Sequence, residues 1–367
     1  LKKVIISLLE RNYTVFIGSG NLDLIIEEIE RQKLYKNIFA VIDSNVYKFY
    51  FNKINELLQR AQYKTGYYIL PAGEKYKANA ELNKIYSSLI EKKFGRDTLI
   101  LAVGGGVTGD LAGFAASTFM RGVHLVHVPT TILAAVDSSV GGKTGINFNA
   151  RKNMIGTFYQ PRFVLIDTDF FSTLSPAEKR SGFGEVIKYA FLSDRSFYEY
   201  IKENLQSAYS GIKEVIEKII FVSVSIKGEV VSNDEKESGL RRILNFGHTF
   251  GHAIESDLKF KVKHGEAVLA GIAAALFLSN ILGILDPSKL KEFLDFLAEL
   301  KLSPKIAHFN NENIIHLMQS DKKIIGGKSK FVLLADIGKI IIDAEADNNQ
   351  IAAALNKTKN FLQKKKK

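Results

Sequence analysis

From Tyr13 to Ile166, short β-rich runs alternate with longer helical stretches, and no other feature constrains the fold as strongly. The strand runs are Tyr13–Ile17, Ile38–Ile42, Gly66–Leu70, Thr98–Val103, Leu125–Val128 and Phe163–Ile166. Helical patterns fill Leu22–Arg31, Val46–Arg60 and Asn79–Lys92 between them. Alternation of this kind predicts a mostly parallel sheet covered by helices. A cluster of Ser, Thr and Pro at Leu174–Pro176 marks a boundary. Beyond it the pattern is long, apolar and helical, apart from a hairpin signal at Phe331–Leu334 and Ile340–Ile342. The expected organisation is an α/β domain over 1–174 and a mostly α-helical domain over 175–367.

Composition removes several classes. The chain has no cysteine, so disulfides and thiolate metal sites are excluded, and any metal must use His, Asp or Glu. Four of the positive charges behind the net +11 are the tail Lys364–Lys367, which is expected to be solvated. The remaining basic character suits a small anionic substrate. Basic clusters interleaved with aromatics are missing, so no nucleic-acid partner is expected. The apolar run near Leu1 is too short for a signal peptide, and a chain beginning with Leu is expected to lack an initiator Met or a few residues. Ala267–Leu285 carries no charge and is long enough to span a bilayer, yet it holds Gly271, Ser279, Asn280 and Gly283. It reads as the buried central helix of the second domain, with no membrane partner and a cytoplasmic location.

Strand Thr98–Val103 runs into Gly104-Gly105-Gly106-Val107-Thr108-Gly109-Asp110, followed by a helical pattern from Leu111. Glycines allow a tight turn, and the N–H groups of the following helix can face an anion such as a pyrophosphate. The spacing is not the G-x-G-x-x-G fingerprint, so the turn alone is weak evidence. Other polar loops end strands: Asp43-Ser44-Asn45, Pro71 to Lys77, and Thr130-Thr131 after Pro129. Ligands in open α/β sheets gather at such ends, which points to a nucleotide.

In the second half, His248 and His252 are four apart and share a helix face, and His264 follows in Lys263-His264-Gly265-Glu266. Imidazoles suit zinc, and two His with one carboxylate leave a position open for substrate. Thr249 stands where the zinc-protease motif H-E-x-x-H has Glu. The spacing leaves open which of His248 and His252 binds metal. Glu185 is the candidate carboxylate; it shares a helix face with Lys188 in an apolar, Gly-rich segment. Basic groups also stand among glycines, at Lys143, at Lys152-Asn153, at Arg121 and at Asp321-Lys322-Lys323, as in phosphate or carboxylate sites.

Taken in order, Gly104–Phe114, Pro129–Thr131, Asp137–Gly145, Lys152–Pro161, Glu185–Tyr189, Leu244–Glu255 and His264–Val268 resemble the 3-dehydroquinate synthase family. The resemblance runs from about Asp43 to Gly338. It implies an α/β N-terminal nucleotide-binding domain, a helical C-terminal domain, and a site in the cleft between them. It implies that Glu185, His248 and His264 bind zinc, with cobalt as the alternative ion, and that His252 contacts substrate and serves proton transfer. Lys143, Asn153 and Arg121, the last from a neighbouring subunit of a homodimer, would hold a phosphate with one lysine of Lys322 and Lys323. Asp137, Lys152, Lys188, Lys227, Arg241 and Asn245 would line the substrate pocket.

By the same resemblance NAD would contact Asp43, Asn45 and the loop Ala72, Gly73, Glu74, Lys75, Tyr76 and Lys77. It would also meet the turn Gly105, Gly106, Val107, Thr108, Gly109 and Asp110. Thr130 and Thr131, Phe170, Phe171, Ser172 and Thr173, and the shared Lys143 and Lys152 would complete its site. The implied reaction converts 3-deoxy-D-arabino-heptulosonate 7-phosphate, a sugar phosphate, to 3-dehydroquinate and phosphate in the shikimate pathway. Its steps are transient oxidation by NAD, phosphate elimination, reduction and aldol closure. Related cyclases act on other sugar phosphates and differ around Asn245 and the second His, and polyol dehydrogenases space these motifs differently. Two departures stand out: His127 where the family shows Gln, and Arg151 where it shows Gly.

Overall fold

A computed structural model describes residues 1–60, 63–149, 151–237, 239–300, 302–319 and 329–363. In chain order the strands and helices begin with β1 (Lys2–Ile6), β2 (Tyr13–Gly18), α1 (Leu24–Arg31), β3 (Asn37–Asp43), α2 (Ser44–Arg60), β4 (Thr65–Leu70), α3 (Asn79–Glu91) and β5 (Thr98–Gly104). They continue with α4 (Gly106–Thr118), β6 (His124–Pro129), β7 (Lys143–Phe148), β8 (Arg151–Phe158), β9 (Phe163–Asp167), α5 (Pro176–Leu192), α6 (Arg195–Ser210) and α7 (Lys213–Asn233). The last are α8 (His248–Asp257), α9 (His264–Ile281), α10 (Pro287–Ala298), α11 (Asn311–Gln319), β10 (Ser329–Asp336), β11 (Lys339–Ala346) and α12 (Asn348–Gln363). Two compact units result, Leu1–Leu174 with Gly211–Lys236, and Ser175–Ser210 with Glu237–Lys367. The chain therefore crosses back to the first unit as α7, which a single boundary after Leu174 does not express.

The first unit is built on a seven-stranded sheet in the order β1-β2-β9-β6-β5-β3-β4. All neighbours are parallel except the edge strand β1, which pairs antiparallel with β2. Strand β5 is buried at every position, as its unbroken apolar run requires when helices cover both faces. β1 is not marked by the sequence pattern, because an edge strand opening with Lys2 and Lys3 lacks that run. Successive connections move outward from β3 to β4, cross back to β5, then proceed outward through β6 to β9. The order thus reverses between β3 and β5, and parallel sheets open a ligand crevice at such a switch point.

Helix α4 starts at Gly106, earlier than the apolar pattern from Leu111 indicates. Glycine hides the first turn from periodicity, and β5 ends on a glycine that this turn requires: a Cβ on Gly104 would lie 2.5 Å from Thr108 Oγ1. β7 and β8 form an antiparallel hairpin that the strand patterns did not reveal. At Gly145 and Gly156 a Cβ would collide with the backbone of the opposite strand, so the glycines that look like loop residues are what lets the strands pair.

In the second unit, Ser175 caps α5 by accepting a hydrogen bond from the Glu178 N–H at 3.3 Å, and Pro176 opens the helix. α9 is the central helix: α5, α8, α10, α12 and β10 all pack on it. Among the described residues it alone is long and apolar enough to cross a membrane, but 78% of it is buried in the fold. The β10–β11 hairpin turns at Gly338, whose N–H donates to Phe191 O at 2.9 Å.

Glycines set the helix spacing around α9. A Cβ on Gly265 would fall inside the Ser181 carbonyl oxygen, and one on Gly184 inside that of Gly265. A Cβ on Gly271 would lie 2.6 Å from the Gly251 nitrogen. Alanine at Gly265 would gain about 1 kcal/mol of helix propensity, but the backbone clash costs roughly 1–3 kcal/mol or more. G265A is therefore expected to lower the midpoint of chemical unfolding, read by circular dichroism. An unchanged or raised midpoint would show that α5 and α9 can separate freely.

Candidate functional site

The first cluster lies wholly within the second unit. Glu185 on α5 is 0% exposed, and its Oε2 is 2.5 Å from Lys188 Nζ one turn on. Its Oε1 lies 3.3 Å from His248 Nε2 and 3.4 Å from His264 Nε2. The contacts are ionic and not directed, since neither buried oxygen has a partner with hydrogen-bond geometry among the described residues. One ring nitrogen from each of His248, His252 and His264 lies within 4.8 Å of the other two. His248 is buried at the start of α8, His264 is half-buried at the start of α9, and His252 is exposed. Gly247, Gly251 and Gly265, each next to one of these histidines, are what bring α8, α9 and α5 this close.

Outer contacts aim two of the rings. His248 Nδ1 donates to the Phe246 carbonyl at 3.3 Å, and His264 Nδ1 meets Glu255 Oε2 at 3.3 Å. Each Nε2 therefore faces the Glu185 carboxylate. Burial pushes the Glu185 pKa up, but the Lys188 ammonium and then His248 outweigh it, holding the group well below the usual carboxylate range. Burial also lowers His248, against the pull of Glu185. For His264 burial is outweighed by the facing Glu185 and Glu255 carboxylates, which raise it to about 9. A buried anion without directed hydrogen bonds, facing two imidazole nitrogens, is a donor set that fits a divalent cation such as zinc.

Arg241 and Asn245 lie on the turn Leu240–Asn245 just before α8. Arg241 is buried, and the Asn245 amide donates to Glu237 Oε1 at 3.1 Å. The next residue, Arg242, pairs with Asp343 of β11 at 2.8 Å and ties this turn to the hairpin.

The second cluster lies in the first unit. Gly105 and Gly106 begin α4 beside the β3/β5 switch point, and a Cβ on Gly105 would come 3.2 Å from Thr131 Cγ2. This leaves bare backbone, the surface a pyrophosphate needs at a helix N-terminus. Thr130 is buried and donates its N–H to Gly104 O at 2.9 Å, while Thr131 Oγ1 accepts from Ala134 N at 3.1 Å. Asp43 Oδ1 accepts from Asn45 N at 2.8 Å, and Ser44 Oγ from Ala72 N at 3.0 Å, joining the β3 and β4 loops. Tyr50 of α2 holds the Thr168–Thr173 turn through Asp169 O at 3.1 Å.

The Lys77 ammonium pairs with Asp110 and also donates to Asn153 on the β7–β8 hairpin. Burial raises the Asp110 pKa, against Lys77. Asn147, which the sequence reading did not single out, braces this group: its amide donates to Glu74 Oε1 at 2.8 Å and its side-chain oxygen accepts from Asn153 N at 3.0 Å. Lys152 Nζ stands 3.9 Å from the same Glu74 oxygen. Lys227 of α7 donates at 2.6 Å to both Asp137 O and Asp137 Oδ1, on the π-helical turn Ala134–Ser138. Lys143 opens β7. Arg121 is exposed in left-handed backbone, φ 67°, and makes no ion pair among the described residues. Lys322, Lys323 and the lysine tail lie outside the described residues.

Two family models cover most of the chain, 3-dehydroquinate synthase N-terminal over residues 67–181 and 3-dehydroquinate synthase C-terminal over 182–324. The 3-dehydroquinate synthase of Shewanella halifaxensis is 41% identical over 359 residues, 97% of this chain and 99% of the relative. The chain belongs to the 3-dehydroquinate synthase family. The same enzyme from Thermoanaerobacter pseudethanolicus is 39% identical over 92% of this chain and 95% of its own. Among solved structures, 2-deoxy-scyllo-inosose synthase with carbaglucose-6-phosphate, NAD+ and Co2+ matches with TM-score 0.88 and 26% identity, over 97% of this chain and 99% of that one. The 2-epi-5-epi-valiolone synthase of Streptomyces hygroscopicus, with NAD+ and Zn2+, gives 0.85 and 25%, over 96% and 98%. Glycerol dehydrogenase from Schizosaccharomyces pombe, at 18% identity and TM-score 0.65 over 96% and 90%, shares the fold.

His127 has a consequence for stability. His127 on β6 is buried under the Gly-rich turn, and burial pushes its pKa from 6.5 down to about 4. Between these values it is protonated in the unfolded chain but neutral when folded, so its stabilisation is present above the unfolded pKa and lost as pH falls from 6.5 toward 4. The loss amounts to about 3 kcal/mol at most. H127Q, which cannot take up that proton, is expected to flatten the fall in stability over this window, measured by urea unfolding at several pH values. An equally steep fall in H127Q would assign the slope to other groups.

Proposed function

We propose that this chain converts 3-deoxy-D-arabino-heptulosonate 7-phosphate to 3-dehydroquinate and phosphate, as a carbon–oxygen lyase of the shikimate route to aromatic amino acids. The observation that carries the reading is the buried Glu185 carboxylate facing His248 and His264, in a chain of this family. The reaction oxidises one substrate hydroxyl, eliminates phosphate, reduces the ketone again and closes the ring by an aldol step. When bound, NAD supplies a hydride acceptor that gives its hydride back, and zinc or cobalt supplies Lewis-acid polarisation of a substrate hydroxyl.

The chain's own residues supply the rest. Glu185, His248 and His264 hold the ion, and His252, exposed beside them, remains to hold or move a substrate proton. Lys188 keeps the Glu185 carboxylate ionised. The glycine turn from Gly105, with Asp110, Thr130 and Thr131, holds the NAD pyrophosphate, and Asp43 and Asn45 stand at its ribose end. The 168–173 turn with Phe170, and the loop from Gly73 to Lys77, line the same cofactor. Lys143 and Asn153 bind phosphate with Arg121 supplied by a neighbouring subunit, and Lys152, Arg241 and Asn245 orient the substrate, with Lys227 and Asp137 held as a pair. Cations around one dianionic leaving group favour its departure, because charge builds on phosphate as the bond breaks.

A homodimer and a cytoplasmic location belong to this reading. Phe148, Met154, Ile155 and Phe158 are exposed on the β7–β8 hairpin, and Met120 is exposed beside Arg121, which supports a second copy there. I155K is expected to shift the sedimenting mass toward one chain; an unshifted mass would place the contact elsewhere.

Purified protein with NAD and zinc is expected to release one phosphate per heptulosonate phosphate, with dehydroquinate formed and no net NADH absorbance. Chelation is expected to stop release, and zinc or cobalt to restore it. NADH accumulating one-for-one with substrate, or no phosphate release, would overturn the assignment in favour of a polyol dehydrogenase or another cyclase.

A further inference from the structure

Glu255 takes no part in the metal or substrate roles assigned above, yet the residue is only 4% exposed and its carboxylate lies 3.3 Å from His264 Nδ1. We propose that Glu255 is a positioning residue that fixes the tautomer and direction of His264, so that its Nε2 is presented to the ion held with Glu185 and His248. The proposal rests on the reading of those three residues as the metal set.

The geometry is specific to one face of one helix. His248, His252 and Glu255 follow one another on α8 at spacings of four and three, so all three project on one side, toward the first turn of α9 where His264 begins. An imidazole has two nitrogens, and it can direct a lone pair at a cation only if the proton rests on the other nitrogen. For His248 that proton is held by the Phe246 carbonyl, 3.3 Å from Nδ1, which no side-chain change can remove. For His264 it is held by a side chain. His264 is also the more exposed of the two rings, with 29% of its side chain accessible against 11% for His248. A ring with that much open surface can rotate or flip, so it is the one that gains from a buried anchor. An anionic acceptor also makes the imidazole a stronger donor to the ion than a carbonyl does.

Partners of this kind cost 10–100-fold in metal affinity when lost, by order of magnitude. The test is a cobalt titration of metal-stripped protein, followed by the visible absorption of the bound ion, with wild type, E255Q and E255D compared. E255Q keeps the size but loses the charge, and is expected to bind cobalt at least ten-fold more weakly with a changed spectrum. E255D keeps the charge and is expected to recover part of the affinity. Wild-type affinity and spectrum in E255Q would overturn the positioning role while leaving the metal set intact. A wild-type protein that binds no stoichiometric cobalt would overturn both. Should E255Q fail to fold, nitrogen-15 histidine spectra of the wild-type zinc form decide the matter. They are expected to show His264 with its proton on Nδ1 and its metal-shifted resonance on Nε2, and the reverse assignment would overturn the proposal.

Discussion

The site in the second unit depends on how closely three helices approach one another. α5 and α8 meet α9 at distances where their backbones leave no room for a Cβ at Gly184, Gly265 or Gly271. Those glycines lie next to, or opposite, the residues with chemistry: Gly184 precedes Glu185, Gly265 follows His264, and Gly271 faces Gly247 and Gly251 around His248. A carboxylate side chain is short, and it reaches two imidazoles on two different helices only when the helices almost touch. Helix spacing in this unit therefore sets the ligand geometry, and the apolar bulk of α9 holds the spacing.

Such packing has an electrostatic cost. Glu185 is an anion out of contact with water, and an isolated buried carboxylate would take up a proton. It stays ionised because Lys188 and His248 stand against it. Replacing this set by apolar residues of similar volume would not weaken the fold by much, since buried ion pairs contribute little net stability. The cluster reads as a functional expense, with neighbouring hydrogen bonds to Phe246 and Glu255 directing the rings.

The first unit solves a different problem. It must leave backbone exposed to a ligand while keeping a sheet buried on both faces. The reversal of strand order between β3 and β5 opens the space, and glycines at the start of α4 keep it clear. The β7–β8 hairpin then brings Asn153 to Lys77, while Asn147 grips Glu74, so residues far apart in sequence form one polar group. Two polar side chains at the hairpin do what a rigid linker would do elsewhere.

Periodicity alone revealed the parallel sheet, the helices that cover it, the buried α9 and the β10–β11 hairpin, because each is a long run whose burial pattern repeats locally. Spacing alone also put His248 and His252 on one helix face, since a helix has a fixed period. What it left open was which partners those side chains meet. The β7–β8 hairpin escaped detection because its glycines mimic a loop, and the early start of α4 escaped for the same reason. The return of α7 to the first unit, the grip of Asn147 on Glu74 and the meeting of Glu185 with His264 are contacts between segments distant in the chain. Local sequence fixes the conformation of each segment, but a carboxylate's neighbours, and with them its charge, are decided only when the helices pack.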